Sequence, residues 1–244
     1  MAITNSPEDR SALGARLQAV EQRLAAACAA AGRDRSEVRL LPVSKTHPIE
    51  LVREAAAHGH RLFGENKVQE LQRKCAERDE DDDFGFSMIG HLQTNKAKVV
   101  AELADEFQAL DSLRIAEALD RRLQPLGRRL PVLIQVNTSG EPQKHGVAPD
   151  EVMGLARQLA ACDALDVRGL MTVAIKADQQ QVGACFDRLV QLQRELRDAL
   201  ALGSSWSELS MGMSGDLELA IAHGSTCVRV GTAIFGARDY GTAD

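Results

Sequence analysis

The chain begins with a pattern that predicts one long amphipathic helix. Ser6 is placed to cap a helix, and Pro7 suits the first helical turn. Apolar residues then recur every three or four positions as far as Gly32, which indicates a helix with one buried face within residues 1–32. The apolar positions of this face are Leu13, Leu17, Val20, Leu24 and Cys28.

After Gly32, eight short apolar runs alternate with amphipathic segments. The run 132–136 is apolar at nearly every position, which is typical of a strand covered on both faces. Strands that alternate with helices form parallel sheets, and eight such units in roughly 250 residues fit a (β/α)8 TIM barrel. A doubly wound open sheet is the alternative, because periodicity does not count strands reliably. The eight runs are Val38–Val43, Arg61–Phe63, Phe86–Ile89, Phe107–Leu110, Val132–Val136, Val167–Met171, Glu208–Met211 and Thr226–Val230.

This pattern predicts one α/β domain over residues 1–244, with an extra N-terminal helix (1–32), a barrel (38–236) and a tail (237–244). Its 244 residues carry a formal net charge of -6 and only 3% aromatic residues, which disfavours binding to nucleic acid or to anionic membranes. No run reaches about 18 apolar residues, and the N-terminus lacks a signal pattern. We therefore expect a cytoplasmic protein.

Cysteine and histidine give no sign of a metal site or a disulfide framework. The five cysteines are odd in number and far apart, and we expect them to be small apolar core residues. The six histidines are scattered, and for His223 a structural role is favoured. The acidic run Glu80–Asp83 is interpreted as a solvated loop rather than a metal cluster.

Lys45 is the strongest candidate for covalent chemistry. It directly follows the first apolar run, where its ammonium group would project into the mouth of a barrel. A desolvated lysine has a lowered pKa and attacks aldehydes. An ordinary solvated lysine at the end of a strand remains the alternative. Lys176 is a competing candidate, but the polar residues that follow it indicate exposure.

The segments after the seventh and eighth runs predict a phosphate site. Each run is followed by a glycine-containing turn, and Asp216 is placed to cap the helix after the first of them. In (β/α)8 barrels these two loops are the usual place for a phosphate, although simple turn chemistry is the alternative. A phosphate at Ser214, Gly231 and Thr232, an aldehyde on Lys45, and Arg229 opposite a pyridine nitrogen would together suit pyridoxal 5'-phosphate.

Other catalytic motifs are incomplete. The segment Gly90–Lys96 resembles a P-loop, but Asn95 replaces the second glycine. The segment Gly212–Asp216 resembles a nucleophile elbow, but its last glycine falls one position early. No G-x-G-x-x-G follows a predicted strand, so the kinase-like, hydrolase and Rossmann interpretations all weaken.

At these residues the chain resembles the YggS/PROSC family of pyridoxal phosphate homeostasis proteins, over nearly its whole length. Several long motifs in the same order make the resemblance specific. They are Val-Ser-Lys-Thr at 43–46, Phe-Gly-Glu-Asn at 63–66 with Val-Gln-Glu at 68–70, Ile-Gly-His-Leu-Gln-Thr-Asn-Lys at 89–96, Ile-Gln-Val-Asn at 134–137 with Lys-His-Gly at 144–146, Arg-Gly-Leu-Met at 168–171, and the two loops above.

The resemblance implies a fold type III barrel like the N-terminal domain of alanine racemase. It implies that Lys45 holds the cofactor as an internal aldimine and that Arg229 faces the ring nitrogen. It further implies that Ser214, Gly231 and Thr232 bind the phosphate and that Asn66 lines the pocket. Lys67 and the Phe86–Met88 segment depart from the family pattern, so the resemblance defines the cofactor but not the pocket wall or the hydrogen bonds at its edge.

The family implies a protein that buffers or delivers pyridoxal phosphate without a dedicated reaction and without catalytic residues. Its expected partners are the cofactor and, transiently, enzymes that need it, and we expect a monomer. The alternative is an amino-acid racemase or decarboxylase. Such a racemase needs a tyrosine opposite Lys45, whereas the lone tyrosine, Tyr240, follows the last predicted strand.

Overall fold

The computed structural model describes residues 7–202 and 206–236, with side chains from residue 12 onward. The predicted cap Ser6, the tail 237–244 and Tyr240 lie outside the described residues. Among the residues described, no helix is long and apolar enough to cross a membrane.

Eight parallel strands form the barrel, as predicted. Their order around the sheet is β1-β8-β7-β6-β5-β4-β3-β2. Just beyond the end of β1, Val43 pairs with Gly64 of β2, and the Ser44 N–H donates to the Gly64 carbonyl (3.1 Å), so the two edge strands meet and the open-sheet alternative is wrong. The strands are β1 (Arg39–Pro42), β2 (Leu62–Glu65), β3 (Gly85–Met88), β4 (Glu106–Leu110), β5 (Leu130–Gln135), β6 (Leu165–Met171), β7 (Glu208–Ser210) and β8 (Cys227–Val230).

Helices surround the strands, and the extra N-terminal helix covers one side of the barrel. The predicted apolar face of this helix is buried, and it packs against α2, α8 and α9. The helices are α1 (Pro7–Ala30), α2 (Ile49–Ala57), α3 (Val68–Ala76), α4 (Ala97–Leu103), α5 (Leu113–Leu123), α6 (Val152–Leu159), α7 (Gln179–Ala199), α8 (Leu217–Ala222) and α9 (Thr232–Phe235).

Two strands begin or end on charged residues that the apolar pattern did not include. β2 extends to Glu65 and β4 starts at Glu106, and both carboxylates are buried. A buried carboxylate is tolerated when it is paired and hydrogen-bonded. Glu106 accepts hydrogen bonds from Arg39 Nη2 (2.7 Å) and Ser87 Oγ (2.7 Å), so a polar network fills part of the barrel interior.

The predictions for the cysteines, for His223 and for the acidic run 80–83 can each be compared with the structure. All five cysteines are free thiols, and four of them are buried while Cys75 is half-buried. His223 lies 2.6 Å from Asp187 through Nδ1, in keeping with a structural role. The run 80–83 is a loop, but Asp82 is not simply solvated, because it accepts hydrogen bonds from Arg53 Nε (3.0 and 3.1 Å).

Candidate functional site

A cavity of about 380 Å³ lies at the carboxyl ends of the strands and is lined by all six residues predicted from the sequence. This is the end of a (β/α)8 barrel where functional groups are found. A larger groove of about 830 Å³ lies at the opposite end of the barrel, beside Asp166 and Glu208 at the starts of β6 and β7. Its position away from the carboxyl ends of the strands makes it the weaker candidate for a functional site. The predicted residues in the cavity are Lys45, Asn66, Ser214, Arg229, Gly231 and Thr232.

Lys45 is half-buried, and α3 holds the backbone on both sides of it. Lys74 Nζ donates to the Ser44 carbonyl (2.7 Å), and the Thr46 N–H donates to Glu70 Oε2 (2.9 Å). Thr46 has a φ of 69°, a conformation that a β-branched residue rarely adopts. The contacts from Lys74 and Glu70 therefore flank Lys45, and the contact from Glu70 holds Thr46 in a backbone conformation that this residue would not favour by itself.

Lys74 is itself fully buried in an ion pair with Glu65. Ser44 Oγ donates to Glu65 Oε1 (2.6 Å), which joins the first two strands to this pair. Burial lowers the pKa of Lys74 and raises the pKa of Glu65, while the attraction between the two charges opposes both shifts. The pair fixes α3 against the strand ends that carry the cavity.

These supporting residues were not singled out from the sequence. Glu65 and Glu70 stand inside motifs that carry the family resemblance, which is a signal that could have marked them. Lys74 gives no such signal, because a lysine on an amphipathic helix is normally solvated. Only the packing of α3 on the strands shows that its ammonium group is buried.

Arg229 reaches the cavity from β8 and is almost completely buried. Its guanidinium donates to Ser210 Oγ (2.5 Å) and to the Thr172 carbonyl (2.7 Å), and both acceptors are uncharged. Ser210 in turn donates to Gln108 (2.6 Å), which leads to Glu106. Desolvation lowers the pKa of Arg229, but guanidinium stays charged in proteins.

The loops after β7 and β8 supply the predicted hydroxyl and glycine groups. Gly231 precedes α9, and a Cβ at this position would lie 3.2 Å from the Val43 carbonyl oxygen, so glycine lets this loop approach β1 closely. Arg23 of α1 donates to the Ser214 carbonyl (3.1 Å), which braces the other loop. Asp216 occupies the N-cap position of α8, as predicted, but its side chain makes no capping hydrogen bond and instead accepts from the Met213 N–H (2.5 Å).

The remaining residues considered in the sequence analysis differ in their position relative to the cavity. Asn66 is exposed at the edge of the cavity, whereas Lys176 is exposed and absent from the described lining. The departures from the family pattern lie outside the described lining of the cavity: Lys67 is exposed, and the segment 86–88 is buried within the barrel. His47 is a lining residue that the sequence did not indicate, and its ring stacks on Phe235.

The family model "Alanine racemase, N-terminal domain" matches residues 15–239, which defines the class of barrel. An alanine racemase of Clostridium difficile shares this fold with a TM-score of 0.70 at 14% identity, over 85% of this chain and 54% of that one. A Pseudomonas aeruginosa protein named "Pyridoxal phosphate homeostasis protein" is 44% identical over 95% of this chain and 98% of its own length. The chain belongs to the family of pyridoxal phosphate homeostasis proteins.

A solved structure of a relative contains the cofactor. PipY of Synechococcus elongatus, in the structure described as having PLP bound, is 37% identical, with a TM-score of 0.75 over 82% of this chain and 93% of that chain. A protein from Bifidobacterium adolescentis described as unknown is also similar, with a TM-score of 0.83 at 37% identity over 95% of this chain and 98% of that chain.

Proposed function

We propose that this protein binds pyridoxal 5'-phosphate in the 380 Å³ cavity and buffers or delivers it, without a dedicated reaction of its own. The observation that carries the proposal is the meeting of Lys45, Arg229 and the two glycine-containing loops in one cavity. PipY and the homeostasis proteins named above support the same ligand.

The residues of the cavity fit the chemistry of this ligand. Lys45 supplies a primary amine at the end of β1, and pyridoxal phosphate supplies an aldehyde that condenses with such an amine, forming a C=N bond and releasing one water. Ser214, Gly231 and Thr232 offer hydroxyl and backbone N–H groups to a phosphate. A volume of about 380 Å³ lies within the ordinary range for small-ligand sites.

Arg229 favours storage over catalysis in this proposal. A guanidinium donates hydrogen bonds but does not give up its proton near neutral pH. A ring nitrogen facing Arg229 would therefore accept a hydrogen bond and stay unprotonated, which makes the ring a weaker electron sink.

The covalent part of the proposal is tested by replacing Lys45. Wild-type protein mixed with pyridoxal phosphate should show the long-wavelength absorbance of the lysine-bound ligand, and borohydride should fix the ligand to the peptide that contains Lys45. Lys45→Ala should lose both signals. Lys176→Ala, which removes an exposed lysine outside the described lining, is the matched control and should keep them. Labelling of Lys45→Ala at wild-type yield would refute the assignment.

Storage and catalysis are separated by proton exchange. The loaded protein is incubated with L-amino acids in deuterated water, and deuterium at Cα is followed by mass spectrometry. If the protein is a carrier, exchange of this proton should be no faster than in a control where borohydride has reduced the C=N bond between Lys45 and the ligand. Sustained exchange at an enzyme-like rate would instead reject the carrier and indicate racemase-type turnover.

The proposal also covers the cellular location, the oligomeric state and the partner proteins. We propose a cytoplasmic monomer that passes the ligand to enzymes through transient contacts. Transfer is measured as activity regained by an apoenzyme that receives loaded protein across a dialysis membrane or in direct mixture. Equal rates in the two arrangements would favour buffering, and a faster rate on mixing would favour contact. Sedimentation of the protein at the mass of a dimer would contradict the proposed monomeric state.

A further inference from the structure

Three metal-ligating side chains that lie far apart in the sequence meet on the rim of the barrel. His91 follows β3, Asp111 follows β4 directly, and His145 lies in the loop after β5. The ligand atoms that they offer all lie within 4.8 Å of one another. None of the three belongs to the described lining of the 380 Å³ cavity, so this cluster forms a separate site.

The contacts inside the cluster bring two imidazole rings and one carboxylate together. His91 Nδ1 lies 2.9 Å from Asp111 Oδ2, and the rings of His91 and His145 stack with centroids 3.9 Å apart and an interplanar angle of 6°. An ion cannot lie in the planes of two stacked rings at once. One ring must therefore turn about χ2 before both can bind the same ion, a motion that exposed side chains make within nanoseconds.

The backbone beneath the cluster is held by the barrel. Asp111 lies between β4 and Ser112, whose hydroxyl accepts a hydrogen bond from a backbone N–H in the first turn of α5. Gln135 of β5 donates through its side chain to the His145 carbonyl (3.0 Å). The adjacent cation Lys144 is engaged by the Glu141 carboxylate and the Ala174 carbonyl. Its charge is thus partly balanced and opposes a bound cation less.

We propose that His91, Asp111 and His145 form a binding site for a divalent transition-metal ion of the zinc class. Two imidazole nitrogens and one carboxylate oxygen suit Zn²⁺, Ni²⁺ or Cu²⁺, whereas Mg²⁺ and Ca²⁺ prefer ligand sets made of oxygen. Three protein ligands leave a coordination position for water or an added ligand, as in open rather than closed zinc sites. The proposal is independent of the function assigned to the cavity.

Calorimetric titration of chelator-treated protein with Zn²⁺ in a phosphate-free buffer tests the site. We expect one ion per chain, and a weakening of affinity by at least about tenfold in both His91→Gln and His145→Gln, because each loses one of three ligands. Titration at acidic pH should also weaken binding, because metal ligands must be deprotonated. The circular dichroism of each variant should match the wild type, since both rings are exposed.

His223→Gln is the matched control. His223 also places Nδ1 beside a carboxylate, that of Asp187 at 2.6 Å, but it does not belong to a cluster of three ligands among the described residues. This variant should bind Zn²⁺ like the wild type. Substitution with Co²⁺ gives a second readout: the visible absorbance of coordinated cobalt should be lost in His145→Gln and kept in His223→Gln. Unchanged zinc affinity in His91→Gln and His145→Gln, or an equal loss in the control, would overturn the proposal.

Discussion

Lys74 and Arg229 are both cations buried in this molecule, but their surroundings differ in charge. Lys74 pairs directly with the buried carboxylate of Glu65. Arg229 donates to a serine hydroxyl and a backbone carbonyl, and no carboxylate among the described residues forms an ion pair with it. Only Arg229 lines the cavity; Lys74 does not belong to its described lining.

The difference separates a structural charge from one that is available to a ligand. The charge of Lys74 is neutralised within the fold, so its main effect is on the position of α3 and of the segment that carries Lys45. The charge of Arg229 is desolvated without a directly paired counter-charge, which is costly unless a further acceptor binds. A polar ligand that enters the cavity would supply that acceptor.

The largest expected effect comes from removing the paired cation. Lys74→Met leaves the Glu65 carboxylate buried without its counter-charge, which should lower the free energy of unfolding by about 3–5 kcal/mol at neutral pH. Protonation of Glu65 relieves this cost, so the deficit should shrink as the pH falls toward the raised pKa of that group. Urea unfolding at several pH values measures both effects.

Two further variants control this measurement. Lys98→Met removes an exposed lysine that pairs with Glu102 and should change the free energy of unfolding by no more than about 0.5 kcal/mol. Adding Glu65→Gln to Lys74→Met removes the stranded charge and should recover part of the stability. If Lys74→Met were as stable as Lys98→Met, the structural role of the pair would be wrong.

Removing the other cation should affect the ligand more than the fold. Arg229→Ala should weaken binding of pyridoxal phosphate by about 1.5–3 kcal/mol, the range for a hydrogen bond to a charged group, or about 10- to 150-fold in Kd. Its loss of stability should be smaller than that of Lys74→Met, because no carboxylate is stranded. Fluorescence titration and urea unfolding measure the two quantities.

Arg168→Ala is the matched control for Arg229→Ala. Arg168 is an exposed residue of β6 that pairs with Asp166, outside the described lining of the cavity. Its removal should leave the Kd unchanged. If Arg168→Ala lost as much affinity as Arg229→Ala, the effect of Arg229→Ala could not be assigned to a contact with the ligand in the cavity.

The smallest effect is expected from the carboxylate that holds Thr46. Desolvation acts to raise the pKa of Glu70, but the hydrogen bond from the Thr46 N–H helps to keep this pKa below its ordinary value. Glu70→Gln keeps an acceptor but loses the charge, which should weaken ligand binding about two- to fivefold, corresponding to 1 kcal/mol or less.

The pH dependence gives this variant a second signature. A carboxyl group with a lowered folded-state pKa stabilises the fold above its unfolded pKa of about 4.3 and loses that contribution as the pH falls through the folded value. The wild type should therefore exceed Glu70→Gln in stability at pH 7 by less than about 1 kcal/mol, and the gap should close in acid. Glu77→Gln, an exposed change at the opposite end of the same helix, should show neither effect.

Much of the barrel is predictable because its strands lie on short, mainly apolar runs. The run that became β5 is buried along almost its whole length, so local composition marks it directly. The ends of β2 and β4 are less predictable. Glu65 and Glu106 extend those strands through hydrogen bonds to residues on other elements, which local composition does not reveal.

The repeating strand and helix pattern, the N-terminal helix, and the placement of Lys45, Arg229 and the two loops near strand ends can all be predicted from the linear sequence. These follow from local periodicity and from the rule that the carboxyl ends of parallel strands share one rim. The folded barrel is needed to see the burial of Lys74, the neutral surroundings of Arg229 and the contact between His91 and His145. Each of those depends on residues brought together by strand register and helix packing, across separations that no local pattern encodes.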